Sequence, residues 1–291
     1  MTQWLIENIV ELVVSAIVGS IVTFILVLRF EPVIRKYLLR NRFYPVVGNS
    51  HASEFDTHIV VPSKEGILES IDSNENTIRK LRNHVRVEDM LAVNLITRTL
   101  NLAGVKEEKI HVHTVGEFEK VKNTNNDILG QNLILVGASH KNSFVAMALD
   151  NLNAGKEEKI LFKKEGENTR TKLIWRSFVS STSDNLPEST NSTEHGNIIS
   201  IEDNQDDEDI GIVLKTINPY SINKEKPSTL IIVAGTRGFG TWGAAKTMRE
   251  SDKQIGKKNG KYGYVLLSNV TSRGTGLQIS NRINVLEPYN E

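Results

Sequence analysis

Short apolar blocks alternate along the chain with longer segments that have helical spacing. The short blocks predict strands at residues 57–62, 109–115, 132–136, 159–163, 173–178, 209–216, 230–234, 264–267 and 282–286. Apolar residues that recur every three or four positions predict helices at residues 88–103, 142–152 and 242–250. Strands that alternate with helices favour an α/β fold, here a Rossmann-like, mostly parallel sheet with flanking helices.

The most apolar run of the chain lies near its N-terminus. Residues 12–28 carry no charged side chain, and Ile9 and Val10 extend the run to the ~20 residues that span a bilayer. A cleaved signal peptide is the alternative, but it has a basic start and a small-residue cleavage site. This chain starts acidic and its apolar run ends at Arg29. We therefore expect one transmembrane helix at residues 9–28, preceding the α/β domain.

Basic residues follow the predicted span, and none precedes it. The positive-inside rule then places residues 1–8 outside the cytoplasm and the C-terminal part inside it. Residues 29–56 form a basic juxtamembrane connector that is expected to contact anionic lipid. Residues 57–291 form the cytosolic α/β domain. The predicted location is the cell membrane, with a single pass and a cytoplasmic C-terminal domain.

Small residues within the predicted span are spaced by four positions. Ser15, Gly19 and Thr23 share one helix face, and small residues at this spacing let two transmembrane helices approach closely. We expect self-association through this face and hence a homo-oligomer. The alternative is a chance placement of small residues in a simple anchor.

Composition narrows the function classes. The 35 basic and 35 acidic residues give no net charge, so composition does not favour a nucleic-acid partner. The chain has no cysteine, which excludes disulfides and thiolate metal sites. His51, His58 and His84 are scattered and are expected to be surface or core residues. His111 and His113 share a strand face, but no third ligand is evident nearby, so no metal site is expected.

Residues 179–209 are rich in serine, threonine, asparagine and acidic residues. This composition predicts a solvated acidic loop within the domain. Calcium binding is the alternative, but the order of the carboxylates does not match an EF-hand loop.

A glycine-rich stretch follows the apolar block at residues 230–234. Glycines let a ligand approach the backbone, and a helix that begins near Thr241 would direct its dipole and free amides at an anion. The alternative is a tight strand-to-helix connection without a ligand, and the stretch lacks the lysine of a Walker loop. The expected ligand-binding residues here are Gly235, Thr236, Arg237, Gly238, Gly240 and Thr241.

A second loop of similar organisation follows the strand at residues 132–136. Its expected ligand-binding residues are Gly137, Ser139 and Asn142. Loops that leave the carboxyl ends of parallel strands line the ligand crevice of an α/β sheet. We therefore expect residues 137–142 and 235–241 to lie together.

The segments from Asn132 to Asn142 and from Asn218 to Ala245 resemble a largely uncharacterised prokaryotic family of Rossmann-like domains. Members of that family are sometimes attached to membrane segments or DNA-binding modules, as nucleotide-sensing domains of signalling and conflict systems are. The resemblance covers roughly residues 85–285 and implies a nucleotide-sensor-like domain with an N-terminal membrane anchor. The chain departs from the family pattern at Gly137-Ala138, where the family has two glycines.

Three functions are consistent with these features. The first is a membrane-anchored cytosolic sensor of a nucleotide or other phosphorylated small molecule, acting as a membrane effector in prokaryotic signalling or antiviral defence. The second is a membrane-tethered enzyme that processes nucleotides or nucleosides, although no catalytic residue is identified next to either loop. The third is a scaffold protein without a small-molecule ligand. No cofactor is expected for any of them.

Overall fold

The described residues of the computed structural model are 20, 37–40, 42–43, 46–47, 55–71, 77–153, 160–165, 170–177, 191–193, 196–201, 208–251, 264–273 and 276–285. Apart from Ser20, the predicted transmembrane segment 9–28 lies outside them. The same holds for residues 1–8 and for the predicted self-association residues Ser15, Gly19 and Thr23. No helix in the described part of the chain is long and apolar enough to cross a membrane.

The described segments form strands and helices in alternation through the first half of the domain. The strands are β1 (Thr57–Val61), β2 (Lys64–Ile71), β3 (Thr77–His84), β4 (Ile110–Thr114), β5 (Asn132–Val136), β6 (Ile160–Glu165), β7 (Arg170–Ser177), β8 (Asn191–Thr193), β9 (Gly196–Ile201), β10 (Glu208–Ile217), β11 (Thr229–Gly235), β12 (Tyr264–Arg273) and β13 (Gly276–Val285). The α-helices are α1 (Val87–Ala103), α2 (Val115–Thr124), α3 (Ser143–Asn153) and α4 (Gly238–Glu250). Short 3₁₀ turns lie at Glu107–Lys109 and Asn126–Gly130.

A seven-stranded sheet in the order β13-β12-β10-β11-β5-β1-β4 forms the centre of the domain. The strands β11, β5, β1 and β4 pair in parallel, and β10, β12 and β13 extend the sheet as antiparallel strands. The predicted α/β class, with a parallel sheet and flanking helices, is therefore confirmed, and the arrangement is compatible with a Rossmann-like fold.

Helices cover both faces of the sheet because successive strand residues point to opposite faces. On one face α1 and α4 pack on a core that includes Ile59, Ile134 and Val233. On the other face α2 and α3 pack on a core that includes Leu135 and Ile232. β1, β5 and β11 are buried along their whole length, which explains why their sequences are continuous apolar blocks.

Several elements are not visible in the hydrophobic pattern. The polar hairpin β2–β3 and the short helix α2 lack a long apolar period, and α2 is fixed at its start by a capping box between Thr114 and Glu117. The strands β8 and β9 form within the segment that composition predicts to be a solvated loop. They pair with each other, and β9 pairs with β7, in a separate four-stranded sheet of order β6-β7-β9-β8.

Candidate functional site

The order of the parallel strands determines where a ligand crevice can form. The chain passes from β1 to its neighbour β4 and then crosses back over β1 to β5 and, later, β11. The direction of winding therefore reverses between β1 and β5, and open α/β sheets bind their ligands at this switch point, beyond the carboxyl ends of the strands. The two loops that leave the sheet there are residues 62–63 and 137–142.

Gly137 begins the loop after β5 in a conformation that few other residues adopt. Its φ of +89° is in the left-handed region, and a Cβ at this position would lie 2.9 Å from Cγ of Pro62 in the loop after β1. Its amide also donates to the carbonyl of Val233 on β11, at 2.9 Å. Gly137 therefore turns the chain sharply and keeps the two switch-point loops in contact.

Asn142 ends the same loop and holds its shape from inside. The side-chain amide nitrogen donates to the carbonyls of Val60, at 3.1 Å, and Val136, at 2.9 Å, so it joins the ends of β1 and β5. Its carbonyl oxygen accepts from the amide of Phe144 at 3.1 Å and caps α3. Asn142 is fully buried, so its hydrogen bonds position the loop within the fold.

Between these two residues the loop reaches the surface. Ala138 is buried, Ser139 is half-buried and His140 is exposed. Lys141 is half-buried and lies at the switch point itself. Of the loop residues predicted to bind a ligand, Ser139 is the one whose side chain is partly open to solvent, whereas Gly137 and Asn142 are buried.

The glycine-rich loop lies beside the switch-point loop, since β11 pairs with β5 in parallel. Gly240 at the end of this loop and Gly243 in the helix that follows, however, face the sheet. A Cβ on Gly240 would overlap the carbonyl of Ile210, and one on Gly243 would overlap the side chain of Val270. A Cβ on Gly211 of β10 would in turn lie 2.5 Å from the carbonyl of Gly240. These positions lack a side chain because α4 lies with its backbone directly against β10 and β12.

The start of α4 differs from the sequence-based expectation. The helix begins at Gly238, with Arg237 as its N-cap residue, three positions before Thr241, and the Arg237 side chain makes no capping hydrogen bond. The hydroxyl of Thr241 donates back to the carbonyl of Arg237 at 3.3 Å. The helix begins earlier because its cap comes from a different strand.

That cap is Asp209, at the start of β10. One carboxylate oxygen accepts from the amides of Ile210, at 2.8 Å, and Arg237, at 2.9 Å, and from the hydroxyl of Thr236 at 2.5 Å. The other accepts from the amide of Gly240. Asp209 is almost fully buried, and burial raises the pKa of its carboxyl, while these hydrogen bonds act to lower it.

Asp209 occupies the position in which an anion was expected. The amides of a helix N-terminus attract negative charge, and here the protein supplies that charge from its own chain. Thr236, Arg237 and Gly240 direct their donors at this carboxylate. A ligand phosphate at the same amides would have to displace Asp209.

Charged side chains converge around Lys141. Its pKa is lowered first by burial and next by the positive charge of Arg86, with Lys64 acting in the same direction. The carboxylates of Asp89 and Asp209 oppose this shift. Lys141 therefore lies among two acidic and two basic side chains that come from three segments of the fold, namely the start of α1, β2 and β10.

Of the two acids around Lys141, Asp89 is the one that does not cap α4. It lies in the first turn of α1 with 3% of its surface exposed. Burial raises its pKa to about 6, although the positive charges of Lys141 and Arg86 act to lower it. A carboxyl with such a pKa can give or take a proton near neutral pH, and it lies beside a lysine whose pKa is also shifted.

The sequence did not indicate Asp89, Lys141 or Asp209 as site residues. Asp89 looks like an ordinary acidic residue in a helix first turn, and Asp209 closes a run of acidic residues that composition assigns to solvent. The one available signal was that an acid lies at the edge of a buried strand, two residues before Gly211. α1 and α4 also lie close together here: a Cβ on Gly238 of α4 would be 3.1 Å from Cβ of Glu88 on α1.

Comparison with known proteins finds no protein-family model that matches the chain and no match among curated proteins.

The close contact between α4 and the sheet gives a first prediction. Gly243→Ala should destabilise the protein by about 2 kcal/mol or more, because the new methyl group overlaps Val270 in a packed interior. Gly116→Ala is the matched control, since a Cβ there meets no atom within 4 Å in helix α2. That change should stabilise the protein by about 0.5–1 kcal/mol. Urea unfolding of both variants measures the difference, and equal effects would contradict the packing role of Gly243.

A second prediction concerns Asp89 and pH. Its pKa of about 6 in the folded protein lies above the 3.8 of an ordinary aspartate, so the folded state binds more protons between these two values. The contribution of Asp89 to stability is therefore complete below pH ~4 and is lost as the pH rises through ~6. Asp89→Asn should remove this dependence, so the variant gains stability relative to wild type as the pH rises from 4 to 7.

Unfolding free energies of wild type and Asp89→Asn, measured at several pH values, test this. The difference in unfolding free energy between Asp89→Asn and wild type should grow by up to about 3 kcal/mol from pH 4 to pH 7, which is the upper limit for a pKa shift of this size. A constant difference across the range would show that Asp89 has an ordinary pKa.

Proposed function

We propose that the chain is a membrane-anchored cytosolic sensor whose α/β domain binds a nucleotide or another phosphorylated small molecule. The observation that carries the proposal is the group of basic side chains, Lys64, Arg86 and Lys141, around the switch point of the sheet. Open α/β sheets bind their ligands at this point, and lysine and arginine form charge-assisted hydrogen bonds with phosphate.

The binding mode differs from that of a dinucleotide loop. Asp209 already satisfies the amides at the start of α4, so side chains rather than that helix terminus would hold the phosphate. Lys141 is the central contact in this proposal because it lies on the switch-point loop. Ser139 is next to it in the same loop and is partly exposed, which suits a neutral polar contact.

The membrane anchor rests on the sequence alone. The apolar run at residues 9–28 and the basic residues that follow it support a single pass with the α/β domain in the cytoplasm. Ser15, Gly19 and Thr23 support association of two or more anchors. Ligand binding would then act on an oligomer at the membrane, as in an effector of prokaryotic signalling or defence.

A specific observation favours an enzyme as a second candidate. Asp89 and Lys141 have pKa values shifted toward neutrality in opposite directions and lie near each other, as general acids and bases do. The ligand class would be the same, but the bound nucleotide would be converted.

Ligand binding gives a third prediction. Calorimetric titration of the purified full-length protein with a panel of linear and cyclic nucleotides should give binding heat for at least one of them. Lys141→Gln should weaken that binding about ten-fold or more, the loss expected when a charged hydrogen bond is removed. Lys106→Gln is the control, because Lys106 is an exposed lysine that pairs with Glu108 on the surface.

The outcomes separate the candidate functions. Binding that is lost in Lys141→Gln and leaves the nucleotide unchanged on chromatography supports the sensor. Conversion of the nucleotide that is lost in Asp89→Asn supports the enzyme. No binding heat with any nucleotide would contradict both and leave the scaffold.

Membrane attachment gives a fourth prediction. The full-length protein expressed in bacteria should sediment with membranes, resist extraction by high salt and alkaline carbonate, and dissolve in detergent, because an apolar span is held by hydrocarbon rather than by charge. A variant that starts at residue 29 should lose this resistance. Release of the full-length protein by salt alone would contradict the anchor.

A further inference from the structure

Histidines of two neighbouring strands are brought together by the register of the sheet. β1 and β4 pair in parallel with His58 opposite His111 and Val60 opposite His113. Residues two apart on a strand share a face, so His113 lies on the same face as His111. The sequence alone showed the pair on β4, and the register adds His58 as a third imidazole.

The imidazole rings are in direct contact. Nδ1 of His58 lies 3.1 Å from Nε2 of His113, and the ring of His58 stacks on His111 with 5.0 Å between centroids. Asp56 lies two residues before His58, and its carboxylate is 3.6 Å from Nε2 of His111. Imidazole nitrogens and a carboxylate oxygen therefore line a short stretch at the β1–β4 edge of the sheet.

The fold encloses the inner histidines on one side. His58 is buried, and burial together with the neighbouring His113 and His111 lowers its pKa to about 4. Burial and His111 likewise lower the pKa of His113, although Glu117 acts in the opposite direction. The ring of Phe118 closes the inner side of the group, with its centroid 5.6 Å from that of His113.

We propose that His58, His111 and His113, with Asp56, form a binding site for a divalent transition-metal ion, Zn²⁺ in particular. Imidazole suits Zn²⁺, Cu²⁺ and Ni²⁺, and three histidines with one carboxylate match the four-coordinate, nitrogen- and oxygen-rich sets that Zn²⁺ takes. A metal ion would replace the hydrogen bond between His58 and His113 and draw the other two side chains inward.

That inward movement is required. With the side chains in their present positions, no three or more histidine, cysteine, aspartate or glutamate side chains in the described part of the chain are arranged to hold a metal ion. His111 and Asp56 are 39% and 50% exposed, so solvent rather than packing surrounds much of both side chains and they can rotate. Nδ1 of His58 and Nε2 of His113 are 3.1 Å apart. A small increase in this distance would give the spacing of two nitrogen ligands on one Zn²⁺ ion.

Titration of the full-length protein with Zn²⁺ alone, followed by calorimetry and by thermal unfolding, tests the site. The wild type should bind a single high-affinity Zn²⁺ and unfold at a higher temperature in its presence, since a ligand that binds the folded state stabilises it. His111→Gln should weaken binding about ten-fold or more while leaving the fold intact, because this histidine is partly exposed at a sheet edge. Asp56→Asn should weaken it less.

His84→Gln is the matched control, because His84 is an exposed histidine on β3, outside the group. It should leave Zn²⁺ affinity unchanged. Substitution of Co²⁺ for Zn²⁺ adds a direct signal, because its visible spectrum reports nitrogen ligation. No stabilisation by Zn²⁺, or equal loss of affinity in His84→Gln and His111→Gln, would overturn the proposal.

Discussion

The hydrogen bonds of the Asp209 carboxylate join the start of β10, an antiparallel strand of the sheet, to the start of α4. Asp209 is the second residue of the antiparallel strand β10, and Thr236, Arg237 and Gly240, which donate to it, lie between the end of β11 and the first turn of α4. Without this carboxylate the first amides of α4 would be buried without an acceptor, which is costly in an interior. The early start of α4 and its close contact with β10 both depend on this one acid.

The same interaction occupies the amides at which the sequence predicts an anionic ligand. A strand, a glycine-rich turn and a helix usually leave free amides for an anion, and here those amides are used inside the protein. At the switch point between β1 and β5, Gly137 and Asn142 fix the backbone, and Lys141 and Asp89 supply charge. Rigid backbone and ionisable side chains with shifted pKa values are thus combined at the carboxyl ends of two central strands.

Much of the fold could be predicted from hydrophobic periodicity, and the charged site could not. The buried strands and the long helix α1 are specified locally, because each is a continuous or periodic apolar segment. The role of Asp209 depends on a partner 28 residues away in sequence, and the contact of His58 with His113 spans 55 residues. No local pattern encodes either contact. Only the strand order and register bring such residues together.

The contact between α4 and the sheet also affects how glycines in this chain are to be understood in sequence comparisons. Gly211, Gly240 and Gly243 are constrained by the backbone and side chains that they touch, not by a bound molecule. A side chain at any of these three positions would therefore have to displace the sheet or α4. A search that uses the glycine motif would retrieve chains that share this helix–sheet contact, and such chains are free to differ in their ligands because ligand choice depends on other residues.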